Sequence, residues 1–441
     1  MKPINNKLSP EEREDFESQL REHTERYNPY FLKFNPFPLG GNYPESYLPY
    51  THLNTSNKDR ITDFLLSTFM REEFNGLLIR GEYGSGKSHL LHFARNMVLT
   101  DPFFGKQALC FLINNPSVAP EDILLSMLRE VKLGVVQDLI FLPVIQSLND
   151  KYDGEVLPFL KDFTTFGSSL FHDKHSDPFG GQDIFALSYR EFAKLLRDNN
   201  LLLEKGAFQG FAREVLTHKA KISDHITEDL IQLISISATE SQNSRSWEVF
   251  ISTRLMSSKK GTLGVEYYLE AFLQLFKYSG IRHIYLLVDE LEDLRTVRLS
   301  PKAAVEYLAT LRKMIQHNYR MFSFVLACTR DAWDELLSLY PAIQDRFPIV
   351  IDLLPSSVDY KEIVKRYLSQ ARIEGQEAPN PWAPFTEEAI DEVINKRGGV
   401  IRHVLTTLRL VLDVAAHSNM GPEINAEFVR RSIASSPSHP A

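Results

Sequence analysis

The chain has 441 residues, enough for two or three domains at roughly 150 residues each. Acidic side chains outnumber basic ones, 57 to 49, giving a formal net charge of −8. That balance excludes a protein that coats nucleic acid by overall charge and leaves only a local basic face open. Hydrophobic content of 43%, charged content of 24%, 21 Gly and 23 Pro likewise exclude collagen-like or bulk-disordered chains.

Residues 1–28 read as a charged helix or arm without the apolar core of a secretory signal. No apolar stretch approaches the ~20 residues of a spanning helix. Cys110 and Cys328 sit in apolar runs as buried thiols, so a reducing, cytoplasmic setting without membrane contact is expected. Residues 29–56 are rich in Pro, Gly and aromatics and read as an irregular wrap packed on a neighbouring domain. A helical pattern covers Asn57–Glu73, and GLLIR (Gly76–Arg80) is the short apolar run of a buried parallel strand.

A glycine-rich turn, a helix (Ser88–Val98), the strand QALCFLIN (Gln107–Asn114) and a helix (Pro120–Val131) follow, the pattern of a doubly wound α/β sheet. Residues 135–262 are mostly helical in period and nearly neutral from Asp150 to Lys260, and they precede a helix at Val265–Tyr278. Strands are expected at HIYLLV (His283–Val288), FSFVLACT (Phe322–Thr329) and PIVIDL (Pro348–Leu353). Helices alone follow, at Val358–Ala371, Thr386–Lys396, Val400–His417 and Ile424–Ala434, with Thr386 as an N-cap and Gly398–Gly399 as a stop.

The strongest chemical signal is GEYGSGKS, Gly81–Ser88, which satisfies G-x-x-x-x-G-K-[ST]. At average residue usage, chance gives about 0.015 such matches in a chain of this length. Glycines let the backbone aim N–H groups at phosphate oxygens, and the following helix adds its N-terminal dipole. Lys87 supplies a point charge to the β- and γ-phosphates, and Ser88 a hydroxyl for Mg²⁺. Candidate nucleotide contacts are therefore Gly81, Glu82, Tyr83, Gly84, Ser85, Gly86, Lys87 and Ser88, with His89 behind them. The second signal, IYLLVDELEDL, places Asp289 and Glu290 at a strand end, where Asp289 can hold Mg²⁺ and Glu290 can polarise water. Glu292 and Asp293 read as a solvated helix start.

These motifs make the chain resemble the AAA+ ATPases over about residues 50–134 and 263–435. The resemblance implies an AAA+ doubly wound parallel sheet with a large helical insertion and a C-terminal helical lid, ATP and Mg²⁺ as cofactors, and ATP-dependent homo-oligomers. The domain reading is an arm and wrap over 1–50, an α/β domain over 51–134 and 263–355, an insertion over 135–262, and a lid and tail over 356–441. It also implies that Thr329 orients water, that Arg346 reaches a neighbouring subunit's γ-phosphate, with Arg330 as its rival, and that Arg402 acts from the lid. NNPSVAPEDILLSMLREV and RFPIVIDLLPSSVDYKEIVKRYL are similar to the origin-initiator branch. GEYGSGKSHLL and GIRHIYLLVDELEDL resemble ATP-binding proteins of bacterial phage-defence islands, including the BREX type. The NPF motif at Asn35–Phe37 resembles ATPases of transposition and secretion systems.

The implied activity is ATP hydrolysis driving a switch or motor in a prokaryotic DNA transaction, with antiphage defence foremost. The alternatives are a nucleotide-gated scaffold that recruits a partner protein through 135–262, or a transposition- or secretion-type ATPase. The 39 residues after Arg402 (403–441) are too few for a C-terminal DNA-reading domain of the kind initiators carry. One basic stretch, Arg295, Arg298, Lys302, Arg312, Lys313 and Arg320 against Glu306 alone, is the candidate DNA-facing strip.

Overall fold

The computed structural model describes residues 25–38, 55–71, 75–114, 126–127, 130–163, 183–199, 201, 205–234, 265–292, 300–317, 321–354, 358–397, 400–418 and 420–435. The expected helix at 120–131, the charged arm up to residue 24 and the tail fall largely or wholly outside them.

Five short apolar runs form the sheet: β1 (Gly76–Gly81), β2 (Ala108–Ile113), β3 (His283–Val288), β4 (Phe322–Cys328) and β5 (Ile349–Leu353). All pair in parallel, in the order β2-β3-β4-β1-β5. A parallel sheet needs both faces covered, which is why these runs are apolar at nearly every position instead of alternating. On one face Leu77, Ile79, Tyr285, Leu287, Val325 and Ile351 pack under α1 (Thr55–Arg71) and α2 (Lys87–Thr100). On the other, Leu78, Ile284, Leu286, Val288, Phe324 and Leu326 join a larger core.

The helices between β2 and β3 supply most of that larger core: α3 (Leu133–Tyr152), α4 (Val156–Phe163), α5 (Tyr189–Asp198), α6 (Lys205–His218), α7 (Asp224–Leu233) and α8 (Val265–Tyr278). They share one continuous apolar cluster with the sheet. Phe141, Phe159, Phe163 and Phe192 lie ring against ring at its centre. A capping box between Ser188 and Glu191 starts α5. After β3 come α9 (Pro301–His317) and, beyond β4, α10 (Arg330–Leu339).

Two buried polar contacts stitch β3 to its neighbours. The Tyr285 hydroxyl donates to the Leu65 carbonyl of α1 (2.6 Å) and meets the Thr68 hydroxyl at 3.1 Å. His283, fully buried, lies 2.9 Å from the Ser323 hydroxyl through Nε2, and burial pushes its pKa down to about 4.

The C-terminal helices α11 (Tyr360–Gln370), α12 (Glu387–Arg397), α13 (Ile401–His417) and α14 (Ala426–Ser435) form a separate core. Thr386 caps α12, its hydroxyl accepting from the Ala389 N–H (3.2 Å), as the sequence requires. Tyr27, Tyr30, Leu32 and Phe37 from the chain's start belong to this same core. Asn35 donates to the Arg409 carbonyl (3.1 Å) and to Asp413 (2.8 Å), and its own Oδ1 accepts from the Phe37 N–H. Of the wrap expected over 29–56, residues 29–38 are packed on these C-terminal helices, and residues 39–54 lie outside the described ones.

Candidate nucleotide site

The glycine-rich run lies between β1 and α2, as its spacing requires. A Cβ on Gly81 would overlap the Ser85 hydroxyl, and Gly84 (φ +75°) and Gly86 (φ +102°) hold left-handed backbone that other residues resist. The Ser85 N–H donates to the Glu82 carbonyl (3.1 Å) and closes the turn. Gly86 is the N-cap of α2 and offers no side chain to the first-turn amides, and the Ser85 hydroxyl is buried without a partner. Uncapped amides at a helix N-terminus form an anion site, so the loop fits a phosphate chain. Lys87 is only 7% exposed; its Nζ donates to the Gly81 carbonyl (2.9 Å) and the Glu82 carbonyl (3.3 Å) and lies 5.4 Å from the Tyr83 ring centre. Glu82, Tyr83 and Ser88 are exposed, while His89 is buried.

The acidic motif reaches the same edge of the sheet. β4 lies between β1 and β3, so the end of β3 is two strand spacings, about 10 Å, from the loop. Asp289 is 6% exposed; its N–H donates to the Ile113 carbonyl (2.8 Å) and its carboxylate accepts from the Glu290 N–H (2.9 Å). Glu290, exposed, takes a left-handed φ of +55°. That turn carries the chain across β4, where the Leu291 N–H donates to the Ala327 carbonyl (3.2 Å).

Glu292 consequently ends beside the loop, which corrects its reading as a solvated helix start. It is 4% exposed and 3.8 Å from the Lys87 ammonium. Burial raises its pKa, against the opposing pull of Lys87 and a hydrogen bond from the Thr329 backbone. Asp293 lies outside the described residues. The signal for Glu292 was Leu291: an apolar residue between acids, buried here, marks a segment still packed on the sheet.

Thr329 caps α10, its hydroxyl accepting from the Ala332 N–H (3.3 Å), and is buried at the end of β4 between loop and acids. From the lid, Val400 and Arg402 sit over the loop: a Cβ on Gly84 would lie 2.7 Å from Val400 Cγ1 and 3.7 Å from Arg402 Nε. Ile401 approaches Gly86 in the same way, and neither Val400 nor Ile401 was foreseen as a loop contact.

Arg346 belongs elsewhere. Its carbonyl lies against Gly76, at the start of β1, so it sits at the opposite edge of the sheet from the loop that ends the strand. Five residues of strand put about 16 Å between those edges, beyond reach of its own loop. Arg330 lies 3.6 Å from Asp352, which also holds Arg80 through two 2.9 Å bonds.

The basic strip is described only in part. Arg295, Arg298, Arg320 and the Lys313 side chain lie outside the described residues, and Lys302 is exposed. Arg312 is half-buried and donates to the Tyr340 hydroxyl (3.2 Å), with its Nε buried and unpartnered, so it faces protein. Among the described residues no group of three His, Cys, Asp or Glu could hold a metal. Hard-oxygen coordination of Mg²⁺ through Ser88, Asp289 and phosphate oxygens needs no such group. No described helix is long and apolar enough to cross a membrane.

No protein-family model matches the chain. A stretch of 101 residues, 23% of this chain and 24% of the other, is 30% identical to an uncharacterized HTH-type transcriptional regulator of Methanocaldococcus jannaschii. The match thus spans about a quarter of that protein. Among solved structures, the chain is similar to the Aeropyrum pernix ORC2 protein (TM-score 0.44, 10% identity, 89% of this chain and 70% of that one). It is also similar to Aeropyrum pernix ORC1 in complex with DNA (0.41, 12%, 88% and 66%) and to Drosophila ORC bound to DNA (0.38, 12%, 89% and 62%). At those scores the likeness assigns no role. The parallel five-stranded sheet with helices on both faces, followed by a helical C-terminal region, is the doubly wound α/β architecture expected from the sequence.

Proposed function

We propose that this protein binds Mg·ATP between the Gly81–Ser88 loop and the lid and hydrolyses it to drive a DNA transaction. The observation that supports the reading is that Arg402 lies over Gly84 and that the segment after Asp289 brings Glu292 to Lys87, with Thr329 ending the strand between β1 and β3. The loop amides and Lys87 cradle the phosphates, and Ser88 and Asp289 hold Mg²⁺. Glu290 accepts the proton of the attacking water, and Thr329 fixes that water's direction. Arg402 senses the γ-phosphate from the lid. Arg346, remote from its own loop, serves a neighbouring copy, so the working form is a homo-oligomer that assembles with ATP.

Duplex DNA is the substrate proposed, on the resemblance of the segments after β2 and around β5 to origin initiators and on the regulator named above. Antiphage defence is the setting proposed, from the likeness of GEYGSGKSHLL and of the acidic motif. A second reading, a nucleotide-gated scaffold, draws on the contact of Val400 and Arg402 with Gly84, which couples loop occupancy to lid angle.

The test measures nucleotide binding and phosphate release, with and without double-stranded DNA at low salt. Lys87→Ala loses binding. Glu290→Gln keeps binding and loses turnover by at least tenfold; undiminished turnover sinks the assigned roles. A rate indifferent to DNA removes the DNA proposal and leaves the nucleotide one standing.

A further inference from the structure

Lys87 has two sets of acceptors, and only one belongs to the loop itself. The carbonyls of Gly81 and Glu82 take the ammonium at 2.9 and 3.3 Å, and the Glu292 carboxylate faces it at 3.8 Å through Oε1. Both charged groups are almost wholly withdrawn from water, and the second carboxylate oxygen of Glu292 has no hydrogen-bond partner. A buried carboxylate in this state is costly, and the lysine is its nearest compensation. Asp289 adds a second negative charge nearby, which acts on Glu292 in the opposite sense to Lys87. Backbone sets the placement: the left-handed turn at Glu290 and the Leu291–Ala327 bond precede Glu292 and hold its neighbours against β4.

A phosphate chain entering the loop needs that same ammonium. We propose that Glu292 is a positioning residue that competes with nucleotide phosphate for Lys87, and so sets how tightly the site takes a triphosphate over a diphosphate. The inference rests on the phosphate-site reading above. Releasing Lys87 to phosphate leaves the carboxylate buried, unpaired and close to the incoming negative charge. Both consequences weaken binding, and the repulsion grows with the charge of the nucleotide. Glu292 therefore lowers affinity for ATP more than for ADP. It acts through Lys87, so the effect does not require a metal ion.

Glu292→Gln keeps the volume and an acceptor for the Thr329 N–H and removes only the charge. Calorimetric titration of ATP and ADP into the full chain, in EDTA and again in Mg²⁺, reads the result, with thermal melts confirming the fold. In the variant the Kd for ATP is expected to fall about tenfold and that for ADP about threefold, in both buffers. Glu292→Asp draws the carboxylate back by about one C–C bond, ~1.5 Å, and gives a smaller gain in the same direction. It carries the test if the Gln variant does not fold.

A folded variant that binds ATP no better than wild type, or gains equally for ADP and ATP, overturns the inference while leaving the phosphate site intact. A gain confined to Mg²⁺ buffer overturns it too, because Glu292 would then act through the metal. A wild-type chain that binds neither nucleotide overturns the phosphate-site reading, and this inference with it.

Discussion

Gly84 is where loop and lid touch, and substituting it separates two costs that are usually entangled. Gly84→Ala places a Cβ on left-handed backbone, at a cost of about 1 kcal/mol whatever the lid does. It also sets that Cβ 2.7 Å from Val400 Cγ1 and 3.1 Å from Arg402 Cβ, an overpacking of about 1–3 kcal/mol that the protein escapes by swinging the lid away. If nucleotide is held between loop and lid, the steric share appears as lost affinity, about tenfold for each 1.4 kcal/mol. Val400→Ala removes the atom in the way. Alone it should change affinity little; in Gly84→Ala it should restore the steric share. Calorimetric ATP affinities of the four proteins close a double-mutant cycle, with an expected coupling of about 1–2 kcal/mol. Additive effects would refute the claim that the lid is seated on the loop when nucleotide is bound.

Three more outcomes are expected. His283, with a folded pKa of about 4 against an ordinary 6.5, stays neutral in the folded protein while the unfolded chain takes up a proton. Its contribution of about 3 kcal/mol is intact above pH 6.5 and lost as pH falls toward 4, visible as a declining urea midpoint that Ser323→Ala should not abolish. Phe37→Ala opens a cavity among Tyr367 and Phe385, should cost the lid about 3–4 kcal/mol, and should speed proteolysis within residues 25–38. Arg346→Ala should leave ATP affinity of dilute protein unchanged while abolishing the rise of specific turnover with protein concentration, whereas Arg402→Ala should weaken affinity at every concentration.

Strands were easy to read because a parallel sheet buried on both faces imprints itself as unbroken apolar runs: HIYLLV is β3 residue for residue. The phosphate loop was legible because its chemistry demands particular residues at particular spacings within one stretch. Glu292 was misread for the converse reason. Its burial depends on a positive φ at Glu290, which no pattern of side chains announces, and on a backbone bond to a strand nearly forty residues later. The direction of Arg312 left no trace because charge runs report composition alone; its partner, Tyr340, lies on the far side of β4 in sequence. The aromatics of residues 29–38 announce packing, but their destination, the C-terminal helices, lies some 370 to 390 residues away and leaves no local trace.

The strap over residues 25–38 has a consequence for how the molecule comes into being. Those residues leave the ribosome before the sheet, while the helices that cover Tyr27, Tyr30 and Phe37 follow it in chain order. Their apolar side chains must wait through the making of the whole sheet and the insertion before a partner exists, the kind of long-range closure that folds slowly and invites aggregation. Once closed, the ends of the described chain are fastened to each other and the α/β domain is a loop between them. A pull on the chain's early residues is thereby a pull on the lid, applied through Asn35 to α13, the helix that carries Arg402 to the phosphate loop.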